Sequence, residues 1–360
     1  MEPSLLVGVE LPPVVALRTV RRTGLAAGAT WGAAPGAGCT FEWWRTAARA
    51  ACRAGVTAVW CSGGAGSDAE PTCDPVVLGS ATLLTTVPAL IGVVSCLPSG
   101  RHPAVLAREV TALDVVSRGR AAVLLRFEQS ATGGGAGVRP HLATGADAGG
   151  VIGAGAGGVI GAGAGGVIGA GASGVTVAEY LAEAAEICRA VLTEDAAAFE
   201  GRYLHVAGAV NRPAPVRSGG PPVLVEVPED WPAIVEESAA GRQSGGRLVA
   251  AATALVCRGG RDRLAACRRA MDGLGAQGVV AAAARRAGLL HVAATGDHQP
   301  RAAGGTGRDG GEVASWRDAG AEGVILQLDP GSAPAARADP SAEEDRLAAV
   351  LGWAVERWSR

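Results

Sequence analysis

Short apolar runs in the first half of the sequence end in side chains that can hydrogen-bond or bind an anion. Four residues share this position: Ser62, Ser95, Cys96 and Arg126. An arginine can hold a phosphate through two parallel hydrogen bonds, and hydroxyl or thiol groups can donate and accept hydrogen bonds. Acid–base catalysis needs more, because no histidine follows Ser62 closely and the first carboxylate after it is Asp68. We therefore predict these four as binding residues and assign no catalytic residue.

Three identical copies of GGVIGAGA form a glycine-rich tract in the middle of the chain. The copies occupy residues 149–156, 157–164 and 165–172. Gly153, Gly155 and Gly158 satisfy G-x-G-x-x-G, the loop that holds a pyrophosphate at the start of a long helix in Rossmann folds. Here another copy follows at once, and its glycines disfavour a helix. We predict instead a low-complexity insertion at about residues 131–175, whose Val-Ile pairs can add β-pairing.

Several chemistries and partners are excluded by composition. All 32 basic residues are arginine, which excludes Schiff-base chemistry and a Walker-type phosphate lysine. A formal net charge of −2 creates no field that attracts nucleic acid. The eight cysteines form no C-x-x-C pair, and His291, Asp297 and His298 lack the spacing of a metal site. We expect neither a metal nor a nucleic-acid partner.

The sequence also bears on localisation. Its apolar runs are broken by glycine or polar residues before they reach the ~18 residues of a membrane span. The first residues lack the basic segment and long apolar stretch of a secretory signal. These features predict a cytoplasmic protein, without membrane association, whose cysteines are reduced.

Apolar runs alternate with helical patterns along the chain. Predicted strands lie at 5–9, 56–61, 90–96, 121–125, 222–227, 289–294 and 324–328. Predicted helices lie at 41–54, 75–87, 102–116, 177–192, 261–273, 312–319 and 343–358. Nearly continuous apolar strands separated by helices are typical of parallel strands that are buried on both faces. The alternation predicts either a doubly wound sheet or a barrel.

Sequence blocks in three parts of the chain carry a family resemblance. The blocks are RHPAVLAREVTALDVVSRGR at 101–120, FEGRY at 199–203 with NRPAP at 211–215 and PPVLV at 221–225, and WRDAGAEGVILQL at 316–328. In this order they resemble the luciferase-like monooxygenase family of flavin- and deazaflavin-dependent oxidoreductases. The resemblance implies one (β/α)8 TIM barrel over residues 1–360, interrupted by the glycine-rich insertion, with the cofactor at the carboxyl ends of the strands.

The resemblance also implies a function and a set of roles. The cofactor is FMN or the deazaflavin coenzyme F420, the substrate is a small organic molecule, and relatives are often homodimers. Ser95 and Cys96 occupy the loop that contacts the cofactor ring in the family. Structural rather than chemical roles are expected for Trp60, Arg108, Asp114, Arg120, Phe199 and Tyr203.

Three loops depart from the family pattern. Ser62-Gly63-Gly64 stands where relatives carry an Asp-His pair, and Arg126-Phe127-Glu128 replaces a glycine-rich run. Arg126 is expected either to bind a phosphate or to pair with Glu128. The run Glu226-Val227-Pro228-Glu229-Asp230 replaces another glycine run, and its carboxylates are expected to repel phosphate. The chain is therefore either an FMN- or F420-dependent enzyme or a paralogue that has lost its cofactor and serves as a binding or assembly protein.

Overall fold

The structure, a computed structural model, describes residues 7–12, 14, 40–63, 73–85, 90–97, 101–127, 159–162, 174–276, 287–294, 310–328 and 340–359. The strands are β1 (Val7–Leu11), β2 (Ala58–Ser62), β3 (Leu90–Leu97), β4 (Ala121–Phe127), β5 (Val159–Ala162), β6 (Ala197–Glu200), β7 (Leu204–Ala209), β8 (Val223–Glu226), β9 (Ala254–Arg258), β10 (Gly288–Ala294) and β11 (Gly323–Gln327). The helices are α1 (Phe41–Arg53), α2 (Pro75–Thr85), α3 (Pro103–Ser117), α4 (Gly174–Thr193), α5 (Trp231–Glu237), α6 (Ala239–Ala251), α7 (Arg261–Ala276), α8 (Gly310–Asp318) and α9 (Pro340–Ser359).

Eight strands close into a parallel barrel, in the order β1-β2-β3-β4-β8-β9-β10-β11. The other three described strands form a small sheet in the order β5-β7-β6. Helices alternate with the barrel strands along the chain, as a parallel crossover requires. The predicted (β/α)8 TIM barrel is confirmed, and the alternative of a doubly wound sheet is wrong.

The chain divides into two compact units, Ser95–Leu289 and the pair of segments Glu2–Val94 and Leu290–Arg360. In the two-segment unit β1 lies between β2 and β11, and both pairings are parallel. Helices α1 and α9 are joined by ion pairs there, since Arg49 and Arg53 lie 2.9 and 3.1 Å from the carboxylate of Glu344. The unit Ser95–Leu289 contains β4, β8 and β9 side by side.

Trp60 fills the inner face of the strands around β2. The residue is 1% exposed, and a Cβ on Gly8 would lie 2.7 Å from the indole Nε1. A Cβ on Gly92 of β3 would overlap the six-membered ring. On the opposite face of β2, Cys61 Sγ lies 3.6 Å from Thr82 Oγ1 of α2. Glycines on the neighbouring strands therefore make room for the indole, and the packing role predicted for Trp60 is confirmed.

The FEGRY segment lies in the hairpin of β6 and β7, and helix α4 holds this hairpin in place. Glu183 of α4 is buried, and its carboxylate accepts hydrogen bonds from three backbone N–H groups of the hairpin. The donors are Arg202, Tyr203 and Leu204, at 2.7, 2.9 and 3.0 Å. The Tyr203 ring also meets Tyr180 edge-on at 6.1 Å, which confirms its packing role.

The turn after α3 is structural, as expected. The buried Asp114 carboxylate accepts hydrogen bonds from the backbone N–H of Ala121 at 3.3 Å and of Val216 at 2.8 Å. Arg120 Nε donates to the carbonyl oxygen of Ser117 at 2.7 Å. Asp114 thus joins the end of α3, the start of β4 and the loop before β8.

Residues 231–258 hold three elements that the sequence did not predict: α5, α6 and β9. Glycines obscure the helical pattern of α6, because glycine disfavours helices in isolation. In the fold, however, a Cβ on Gly241 would overlap the carbonyl of Ile234, and one on Gly245 would lie 2.7 Å from Val235 Cγ2. Close packing of α5 against α6 therefore selects the glycines and overrides their intrinsic preference.

Most of the predicted insertion at 131–175 lies outside the described residues. The Val-Ile pair of the second GGVIGAGA copy does lie in a strand, β5, which pairs antiparallel with β7. Helix α4 begins at Gly174, at the predicted end of the insertion. Organisation as one interrupted domain stays a prediction.

Candidate functional site

Three adjacent barrel strands end in charged residues, namely Arg126 on β4, Glu226 on β8 and Arg258 on β9. Leu124 pairs with Leu224, and paired residues of parallel strands point to the same face. Two residues further on, Arg126 and Glu226 share that face, and Arg258 reaches Glu226 from β9. We call Arg126, Glu226 and Arg258 the strand-end cluster.

The strand-end cluster lies on the inner face of the strands. Cys257 immediately precedes Arg258 and therefore points to the opposite face of β9. There its Sγ lies 3.6 Å from the Sγ of Cys267 on helix α7. Because helices cover the outside of the barrel, the cluster faces the inside at the carboxyl ends of the strands, where barrel enzymes place their active sites.

Both arginines of the cluster hydrogen-bond to the one carboxylate. Arg126 Nε lies 2.8 Å from Glu226 Oε2, and Arg258 Nε lies 3.1 Å from Oε1. The Arg126 and Glu226 side chains are 11% and 12% exposed, and that of Arg258 is 37% exposed. Burial opposes ionisation of Glu226, but the charges and hydrogen bonds of Arg126 and Arg258 outweigh it and hold its pKa below the ordinary value. The cluster carries a net charge of one positive unit.

This geometry leaves one expectation from the sequence untested and corrects another. Arg126 pairs with Glu226. Its expected pairing with Glu128 stays a prediction, because Glu128 lies outside the described residues. Glu226 does not act as an uncompensated anion, because two guanidinium groups neutralise it. The rest of the acidic run is anchored by Arg263 of α7, which donates hydrogen bonds to the carbonyl oxygens of residues 227–229. Sequence reasoning missed Arg258 because β9 was not predicted.

A second inward-facing pair lies at the ends of β1 and β2. Ser62 Oγ donates a hydrogen bond to Glu10 Oε1 at 2.6 Å, and both side chains are buried. The sequence showed no carboxylate near Ser62, because Glu10 comes from the neighbouring strand, 52 residues away in the chain. One signal was present: Glu10 is the only charged residue in the apolar run VGVEL. A carboxylate and a hydroxyl in contact can together hold or transfer a proton.

Ser95 and Cys96 lie on β3, the strand next to Ser62. Ser62 pairs with Val94, so residues 95 and 96 are the next two along β3. By strand alternation Cys96 shares the inner face with Gly92 and Val94, and Ser95 points to the opposite face. Both are buried. Cofactor contacts from these residues stay a prediction, with Cys96 on the face that looks into the barrel.

Two histidines of the described residues, His102 and His291, make contacts that are typical of structural roles. His291 of β10 stacks on Trp316 of α8, with ring centroids 3.7 Å apart. His102 caps α3, where its Nδ1 accepts a hydrogen bond from the Ala104 N–H at 3.2 Å. Asp297 and His298 lie outside the described residues. Within the described part of the chain, no three His, Cys, Asp or Glu side chains are grouped as metal ligands would be.

None of the described helices combines the length and apolar character that crossing a membrane requires.

Comparison with known proteins identifies the fold. No family model and no curated protein matches the sequence. An F420-dependent secondary alcohol dehydrogenase, solved with an F420–acetone adduct, is similar in structure, with 12% identity, a TM-score of 0.56, and coverage of 96% of this chain and 98% of that one. An EDTA monooxygenase from Chelativorans sp. BNC1 has 13% identity, a TM-score of 0.55 and coverage of 96% and 93%. For a coenzyme F420-dependent tetrahydromethanopterin reductase from Methanopyrus kandleri the values are 11%, 0.55 and 97% of both chains. At the level of fold, the resemblance seen in the sequence is confirmed: the chain folds as a (β/α)8 barrel that is similar in structure to F420-dependent oxidoreductases and a monooxygenase.

Proposed function

We propose that the chain is an oxidoreductase that binds FMN or coenzyme F420 at the carboxyl ends of its barrel strands and acts on a small organic substrate. The observation that carries the proposal is the strand-end cluster, which brings two arginines and one glutamate together on the inner face of three adjacent strands. The barrel fold supports it, since the neighbours named above include F420-dependent enzymes.

The strand-end cluster suits the phosphate that FMN and F420 both carry. The cluster offers two guanidinium groups beside one carboxylate, and guanidinium groups bind phosphate through charge-assisted hydrogen bonds. The Nε and Nη2 groups of Arg258 donate hydrogen bonds to the Glu226 carboxylate at 3.1 and 3.3 Å, and these bonds fix the orientation of the planar guanidinium group. Arg258 is the more exposed arginine and would contact the phosphate, and Arg126 would hold Glu226 in position.

In this proposal Glu10 and Ser62 carry out proton transfer. When bound, the cofactor supplies the redox chemistry, either hydride transfer or oxygen activation. Ser62 Oγ would take a proton from the substrate while it passes its own proton to the Glu10 carboxylate. Trp60, two residues before Ser62 on the same face of β2, is buried like both members of this pair.

Cofactor binding tests the proposal directly. Absorbance spectra are recorded for the purified protein, before and after FMN or F420 is added and the excess is washed out. Fluorescence titration then compares FMN with riboflavin, which lacks the phosphate. We expect Arg258→Gln to weaken FMN binding at least about tenfold and to leave riboflavin binding nearly unchanged. Arg269→Gln, at an exposed position of α7, is the matched control. Absence of saturable binding of both cofactors to the wild type would refute the proposal.

The internal pairing of the cluster and the filled space around Trp60 favour one alternative, a barrel that has lost its cofactor and serves as a binding or assembly protein. In that case the ion pairs of Glu226 are purely structural and the indole occupies interior space that a ligand would need. Stoichiometric cofactor in the purified protein, or turnover above the buffer rate, rules this alternative out.

A further inference from the structure

Two cysteines touch each other on the outer side of β9. Cys257 of β9 and Cys267 of α7 are both fully buried, and their sulfur atoms are 3.6 Å apart. Ten residues separate them in the chain. The pair lies outside the proposed cofactor site, because Cys257 points away from the face that carries Arg258.

The two thiols differ in acidity. The hydrogen bond from Cys267 and the positive charge of Arg263 lower the pKa of Cys257, against the effects of burial and of Glu226. The pKa of Cys267 is raised by the same hydrogen bond and by burial. Two other buried cysteines behave differently, since burial raises the pKa of Cys61 and of Cys188 to about 12. Thiolate formation is therefore favoured at Cys257 over Cys61 and Cys188.

We propose that Cys257 and Cys267 form an internal disulfide when the protein meets a low-molecular-weight disulfide. The Cys257 thiolate attacks one sulfur of the small disulfide, which forms a mixed disulfide and releases one small thiolate. Cys267 gives its proton to solvent, and its thiolate attacks the Cys257 sulfur and releases the second small thiolate. Two electrons pass from the protein to the small disulfide, and both released thiolates take up the protons that the cysteines lose.

The disulfide bond would link α7 to β9 and would thereby affect the positions of Arg258 and Glu226 in the strand-end cluster. A disulfide is about 2.05 Å long, so the two sulfur atoms must approach by roughly 1.5 Å. Arg258 follows Cys257 directly, and Arg263, one helical turn before Cys267, binds the backbone after Glu226. Because both cysteines are buried, the reaction needs local opening of α7 and is slower than at half-buried thiols.

Peptide mapping of the full chain tests this proposal. The native protein is incubated with cystamine, its remaining thiols are alkylated at low pH, and it is digested with trypsin without reductant. Cleavage at arginine places Cys257 in the peptide 248–258 and Cys267 in the peptide 264–268, each with a single cysteine. We expect these two peptides to appear joined, lighter by two hydrogen atoms than their sum, and to separate on reduction.

Variants distinguish the roles of the two thiols. In Cys267→Ser the cysteamine adduct of Cys257 should accumulate because no second thiol resolves it. In Cys257→Ser the peptide 264–268 should stay unmodified, and Cys188→Ser should leave the wild-type pattern unchanged. The proposal is overturned if both peptides stay separate and alkylated after the half-buried Cys52 and Cys73 have reacted, or if either cysteine links elsewhere. The peptide map of the wild-type protein shows whether the disulfide forms, even if a serine variant fails to fold.

Discussion

Arg126 Nε lies 2.8 Å from Glu226 Oε2, although 100 residues separate the two in the chain. Taken singly, an arginine there attracts phosphate and a glutamate repels it. Together with the half-exposed Arg258 they form a cluster in which the carboxylate organises the guanidinium groups. Tertiary pairing thus gives the first carboxylate of the acidic run two guanidinium partners.

Glu226 should stabilise the fold in a pH-dependent way. Its pKa is lowered in the folded protein, so its contribution is present above the ordinary unfolded value of about 4.3 and is lost as pH falls through the lower folded value. We expect Glu226→Gln to lower the free energy of unfolding at pH 7 by about 3 kcal/mol. In this variant the free energy of unfolding should also fall less steeply as the pH is lowered. Urea unfolding at several values between pH 7 and about pH 2, a range that includes the lowered folded pKa, measures both effects. Glu229→Gln, at an exposed position, should change stability by less than about 0.5 kcal/mol.

Ser62 should contribute to stability as well as to the proposed proton transfer. Ser62→Ala removes the 2.6 Å hydrogen bond to the buried Glu10 carboxylate, and we expect a loss of about 1–3 kcal/mol in the free energy of unfolding. Chemical denaturation followed by circular dichroism measures the change. Ser80→Ala, which removes an exposed hydroxyl on α2, should have little effect. Equal stability of the two variants would contradict the buried pairing.

Position 92 should not accept a residue larger than glycine, because Trp60 packs directly against Gly92. A methyl group at position 92 would overlap the indole ring, which is enclosed within the barrel. We expect Gly92→Ala to cost about 3 kcal/mol or more and to change the tryptophan fluorescence of the native state. Gly352→Ala is the matched control, because a Cβ there meets open space on α9. That variant should gain roughly 0.5–1 kcal/mol, since alanine stabilises a helix relative to glycine.

Glu183 should hold the β6–β7 hairpin on α4. Glu183→Ala leaves three hairpin N–H groups without their acceptor, and we expect a loss of at least about 2 kcal/mol. Hydrogen exchange should quicken at the amides of Arg202, Tyr203 and Leu204. In Glu179→Ala, which loses contacts to the Tyr203 hydroxyl and the Arg202 side chain, these amides should remain protected. If exchange is unchanged in Glu183→Ala, the carboxylate does not anchor the hairpin.

Seven of the eight barrel strands could be placed from the sequence within two residues or so at each end, because their apolar runs are nearly continuous and are bounded by clear helix patterns. The missing strand was β9, which follows two glycine- and proline-containing helices whose stability depends on packing. Arg126 and Ser62 could be selected as site residues because they end apolar runs. Their partners Glu226 and Glu10 could not be paired with them, since a single sequence carries no distance between strands.

The sequence alone determined the alternation of parallel strands and helices, the positions of most elements and the chemical types available at the strand ends, because apolar runs and helical patterns are local properties. The barrel rather than a doubly wound sheet was implied by the family resemblance and decided by the tertiary structure. Only the tertiary structure decided which charged side chains pair. It places two arginines against Glu226, lets Glu10 accept a hydrogen bond from Ser62, and brings Cys257 into contact with Cys267. Barrel closure and strand register bring together residues that are far apart in the chain, and the balance of charge and burial at each site exists only after they meet.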